Sequence, residues 1–111
     1  MAFMRDLRFE IRNGKCHFPG IDWGYGDSEP VLVEMVGNYI VAKKPTCGCW
    51  ESRGQSGTYP AQWYLFRFRW DGGSMRVDKE LEEVQPGHKW HATKKRLIAK
   101  AHELARKEIG R

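Results

Sequence analysis

Residues 7–12 read Leu-Arg-Phe-Glu-Ile-Arg, and Asn13-Gly14 follows at once. Alternation that runs into Asn-Gly is the strongest short-range hairpin signal, because a tight I′ turn needs positive φ at both central residues. A two-residue turn here sets Arg12 opposite Lys15, Ile11 opposite Cys16, Glu10 opposite His17 and Phe9 opposite Phe18. Apolar residues then meet apolar residues throughout, so pattern and turn specify one register.

Two more hairpins follow the same logic. Val31–Val36 and Tyr39–Lys43 flank Gly37-Asn38, which places Met35 opposite Ile40 and Val33 opposite Ala42. Tyr64, Phe66, Phe68 and Trp70 alternate with Leu65, Arg67 and Arg69 ahead of Asp71-Gly72. With that pair as the turn, Phe68 meets Met75, Phe66 meets Val77, and Arg67 faces Arg76. Residues 44–61 have no such pattern and read as the longest irregular stretch. From about Thr93, Leu97, Ile98, Ala101, Leu104, Ala105 and Ile109 recur at three- and four-residue steps, which predicts a helix.

The expected fold is therefore α+β: an antiparallel β-sheet of about six strands, in three consecutive hairpins, with one C-terminal α-helix packed on it. Apolar character on both faces of the second and third hairpins also allows a small barrel capped by the helix. At 111 residues, 41% of them hydrophobic, the chain reads as a single domain, with a hairpin region at 1–87 and a basic helix at 88–111. It has no apolar run long enough to span a membrane, and Met1–Asp6 has no apolar signal core. Three cysteines do not make a disulfide framework, so a reducing, cytoplasmic setting is expected.

The net charge of +5 is unevenly spread. Residues 1–87 balance at −1, whereas 88–111 carry +6. An acidic stretch, Asp78–Glu83, precedes the basic segment and reads as solvated. Such asymmetry points to an anionic partner: nucleic acid, or an acidic surface on a nucleic-acid-processing protein complex. The first helical turn would hold Lys94, Lys95 and Arg96 with no acid. The positive end of a helix dipole normally attracts carboxylates, so three cations there suit a bound phosphate. Lys100 continues the basic face. A helix starting nearer His88 would instead put these cations past the first turn.

A second candidate is an arginine stripe, Arg67, Arg69 and Arg76. Like charges placed side by side call for an anion or for neutralisation by Asp78, Glu80, Glu82 or Glu83. Loop aromatics Trp23, Tyr25, Trp50 and Tyr59 suit base stacking or a protein contact, or else cover a sheet edge. Cys47, Cys49, His88 and His91 form the least specific set. They have the ligand types of a tetrahedral zinc site, but the one-residue spacer is unusual. No cofactor is otherwise expected.

The segment Lys94-Lys95-Arg96-Leu97-Ile98-Ala99-Lys100-Ala101 resembles the last helix of double-stranded-RNA-binding domains. There a lysine-rich helix start sits on phosphates. The likeness is local: that family opens with a helix, whereas this chain opens with a hairpin. It implies phosphate contact at Lys94 and Lys95, not membership. No phosphate-cradling glycine loop, dinucleotide fingerprint or serine elbow is present. The expectation is a non-enzymatic module that contacts nucleic acid through the helix and the arginine stripe. The alternative is a protein-binding inhibitor or accessory factor that blocks a nucleic-acid-processing complex, and a lesser one is a small zinc-binding protein or enzyme built on Cys47, Cys49, His88 and His91.

Overall fold

The computed structural model describes residues 5–21, 29–44, 49–52, 55–58, 62–84 and 90–109, with backbone alone at 49–52, 55–58, 90 and 91. The chain forms β1 (Arg8–Arg12), β2 (Lys15–His17), β3 (Val31–Val36), β4 (Tyr39–Lys44), β5 (Cys49–Ser52), β6 (Gln55–Thr58), β7 (Gln62–Asp71), β8 (Ser74–Val84) and α1 (Trp90–Ile109). Six of the strands close into an antiparallel barrel in the order β1-β2-β3-β4-β7-β8, while β5 and β6 pair only with each other.

The first hairpin takes the register its turn demands, Glu10↔His17, Ile11↔Cys16 and Arg12↔Lys15. Asn13 and Gly14 hold φ of 51° and 74°, as a I′ turn requires. Phe18 follows β2 and stacks on Phe9 at 5.2 Å.

The sheet is closed, not open. Closure comes where β1 meets β8, at Arg8↔Arg76 and Phe9↔Met75. The reason lies in the two-faced strands. Along β4 and β7, Ile40, Ala42, Tyr64, Phe66 and Phe68 point inward and join Phe9, Cys16, Phe18 and Val77 in one buried cluster. Tyr39, Val41, Trp63 and Leu65 point outward and are buried too, under Leu97, Ala101 and Ala105 of α1. An open sheet could cover only one of these faces with a single helix. Closing the sheet on itself buries the first face, and α1 covers the second. Bulges supply the curvature: one lies between Leu32 and Glu34, and two lie between Leu65 and Phe66 and between Arg67 and Phe68.

These irregularities correct the expected registers. Leu32, not Val33, lies opposite Ala42, because the β3 bulge absorbs a residue. In the third hairpin Asp71 pairs with Ser74, so the turn is Gly72-Gly73. Both glycines have positive φ, 61° and 87°. Phe68 therefore meets Val77 rather than Met75, Phe66 meets Glu80 rather than Val77, and Arg76 faces Arg69 rather than Arg67. The stretch expected to be irregular contains the β5–β6 hairpin, with Cys49↔Thr58 through Ser52↔Gln55.

The helix begins at Trp90, earlier than the apolar periodicity suggested. The recurring apolar positions begin only at Leu97, one turn after the buried Thr93. The acidic stretch expected to be solvated is part of β8 and mostly half-buried, and Glu82 reaches α1. Glu82 accepts from Arg96 at 2.7 Å and from Lys100 at 3.0 Å. Burial alone would push its carboxyl up, but these two cations hold it below the ordinary value of 4.5. A depressed carboxylate stabilises the fold above its unfolded pKa, and that contribution disappears as pH falls through the folded one. The junction between α1 and β8 is thus expected to weaken below about pH 4.5 and to be intact at neutral pH. Glu82→Gln should be less stable than wild type at pH 7, with the difference shrinking by pH 3. Urea midpoints at the two pH values check this.

Candidate nucleic-acid interface

The cations of α1 divide into two groups by where the helix turns them. Residues at a spacing of four or seven share a side. Arg96, Lys100, Glu103 and Lys107 lie on one flank, and each of its three cations has a carboxylate partner. Arg96 and Lys100 bind Glu82, and Lys107 binds Glu103 at 3.2 Å. Lys95, His102 and Arg106 lie on another side, and Lys94 borders it. All four are exposed. Among the described residues, no carboxylate pairs with Lys94, Lys95 or Arg106. Lys94 and Lys95 are the fifth and sixth residues of α1, so they are not at the free N–H groups of its first turn. The end-on geometry expected for Lys94, Lys95 and Arg96 is therefore not the one observed: Lys94 and Lys95 lie along the side of the helix.

The arginine stripe is a tied network. Arg67 donates from Nε to Glu108 at 2.7 Å and from Nη1 to Asp78 at 2.8 Å. Tyr39 donates its hydroxyl to the same Glu108 oxygen at 2.6 Å. Arg69 donates to Asp6 at 2.7 Å and to the carbonyl of Val77 at 3.3 Å, and lies within 3.5 Å of Asp78. Arg76 pairs with Asp71 at 3.3 Å and donates to the Asp6 carbonyl at 2.9 Å. Four carboxylates thus surround three arginines. The hydrogen bond to Glu108 raises the Arg67 pKa despite desolvation. The hydrogen bond from Arg69 lowers that of Asp6. Burial, then Glu108, raises that of Tyr39. Chemically the network fastens the end of α1 and the Asp6 turn to β7 and β8. It offers little free charge.

One arginine that the sequence reading passed over completes this row. Arg8 lies opposite Arg76, which lies opposite Arg69. Among the described residues Arg8 has no carboxylate partner. Glu108 and Asp6 were also missed as partners, since they are distant in sequence from the arginines they bind. Trp70 continues the alternation of Tyr64, Phe66 and Phe68 but, unlike those buried residues, is 65% exposed. Its place beside the Gly72-Gly73 turn, at the end of a strand, was the available signal.

Trp23, Tyr25, Tyr59, Cys47 and His88 lie outside the described residues. Trp50, Cys49 and His91 are placed only by their backbone, Trp50 opposite Gly57 on β5. Among the described residues no group of three or more His, Cys, Asp or Glu is set to hold a metal, and no helix is long and apolar enough to cross a membrane. Cys16 is buried in the barrel, where desolvation pushes its thiol up to about 12. A thiol so raised stays protonated near neutral pH and is a poor nucleophile. The fold is a six-stranded antiparallel barrel with one external helix. Comparison with protein-family models, with curated proteins and with solved structures found no match.

Proposed function

We propose that the protein is a non-enzymatic nucleic-acid-binding module that meets the phosphate backbone with the side of α1 carrying Lys94, Lys95 and Arg106. The observation that supports this reading is the division of charge on the helix. On one flank every cation is ion-paired, with Glu82 or Glu103, and the other leaves its cations unpaired among the described residues. Exposed cations spread along one side of a helix can follow successive phosphates of a backbone, and each contact releases counterions. The arginine network serves this surface by anchoring Glu108, and with it the end of the helix.

Fluorescence-anisotropy titration with labelled single-stranded DNA, duplex DNA and duplex RNA tests the proposal. With three phosphate contacts, affinity should fall about fortyfold between 50 and 200 mM salt, at a slope of about 0.9 per contact on duplex DNA. Absence of binding to all three at 50 mM overturns the reading in favour of the protein-binding alternative.

A further inference from the structure

The barrel has an incomplete seam. β1 and β8 pair at Arg8↔Arg76 and Phe9↔Met75. Beyond these residues each strand runs on into its own hairpin turn. Between the two hairpins lies an open cleft of about 660 Å³. Its apolar surface comes from Ile11, Met75 and Trp70, and its charged rim includes Arg8, Glu10 and Arg12. Arg12 is ion-paired with Glu10, which leaves Arg8 as the unbalanced charge on that rim. Arg8 also ends the arginine row whose other members have their own acids, so the uncompensated charge of the row sits at this cleft.

We infer that the cleft takes an unpaired nucleobase of a single-stranded nucleic acid, stacked on Trp70, with a flanking phosphate on Arg8. This inference rests on the nucleic-acid reading and extends it to a substrate class. Trp70 contacts Phe68 edge-to-face, with ring centroids 6.4 Å apart and planes at 75°. The indole is thereby braced while most of it remains open to solvent. Trp70 and Arg8 both line the cleft, Trp70 from the inward side that it shares with Met75 and Arg8 from the outward side that it shares with Arg76; a nucleotide that spans the seam offers the first a π face and the second an anion. An acidic peptide would satisfy Arg8 but would leave the apolar wall of Trp70, Ile11 and Met75 wet. A duplex has both faces of its internal bases already stacked.

The test compares a short labelled oligothymidylate with an abasic strand of the same length and charge. The intact strand should bind about 5- to 150-fold tighter, the range that base–aromatic stacking supplies. Trp70→Ala should remove that difference while leaving abasic binding unchanged, and Trp70→Phe should keep part of it. Arg8→Ala should weaken both strands. Trp70 is exposed, so its truncation should not unfold the barrel, and an unchanged melting temperature verifies this. Equal binding of the two strands by wild type, or an unaffected preference in Trp70→Ala, overturns the cleft assignment alone. Tighter binding of a labelled polyglutamate peptide than of oligothymidylate overturns it as well. Failure of both strands to bind at about 50 mM salt, where duplex DNA or duplex RNA binds, overturns the cleft alone; failure of single strands and both duplexes overturns the module reading and the cleft with it.

Discussion

Lys94→Glu/Lys95→Glu/Arg106→Glu should reduce nucleic-acid affinity by at least two orders of magnitude at low salt and lower the salt slope by about three. Each reversal removes a contact and adds a repulsion along the same side of α1. The variant should remain folded. These side chains are exposed and have no carboxylate to strand among the described residues, and surface changes of this kind cost about 0.5 kcal/mol or less. Reversing Arg96 or Lys100 would confuse binding with stability, because both hold Glu82. Lys94→Arg/Lys95→Arg preserves the charge and should keep most of the affinity. Loss of binding in that conservative variant would point to a shape-specific contact, not a phosphate one. Anisotropy titrations with thermal melts of each variant read both quantities.

Phe66→Ala should destabilise the fold by about 3–5 kcal/mol, the usual cost of deleting a fully buried phenylalanine. Phe66 is 1% exposed and lies within 5.5 Å of Phe9 and 6.5 Å of Phe18, centroid to centroid. It therefore links β7 to β1 and to the segment after β2, across the interior from its own neighbours β4 and β8. Domain stabilities of about 5–15 kcal/mol leave little after such a loss. Phe66→Leu retains most of the volume and should cost about half as much or less. Urea denaturation of the two variants separates a cavity effect from a general intolerance of substitution. Equal, small losses in both would mean that the barrel interior is not the main source of stability.

Local rules carried much of this fold. The first hairpin was legible to the residue, since Asn13-Gly14 and the alternation of Leu7, Phe9 and Ile11 agree. The third was legible in its faces but not in its register. Asp71-Gly72 and Gly72-Gly73 are both good I′ turns, and they differ by a slip of two, which leaves the inward set unchanged near the turn. Only closure against β1, which seats Met75 opposite Phe9, and the later bulges distinguish them. The barrel was foreshadowed by apolar residues on both faces of β4 and β7. That pattern says two faces are covered without saying by what.

The site divides in the same way. Cations at Lys94, Lys95 and Lys100 were visible as a run, and the helical period sorts them into sides. Which of them are neutralised depends on Glu82, and for the arginines on Asp6 and Glu108, whose separations from Arg69 and Arg67 are 63 and 41 residues. No spacing rule reaches that far. Asp78 was a foreseeable partner for Arg67 because the hairpin brings the two strands together. In the β5–β6 pair the apolar residues Cys49 and Trp50 are adjacent, not alternating, and Gln55–Thr58 has none, so its backbone pairing left no mark on the pattern.

An amide chemical-shift titration of the protein with a short single strand at about 50 mM salt tests the proposed interface most directly. Saturable shifts are expected along Lys94, Lys95, His102 and Arg106, and at the cleft around Arg8 and Trp70, with the ion-paired flank at Glu103 and Lys107 less affected. Shifts confined to other surfaces, or none at all, would contradict nucleic-acid binding through this side of α1.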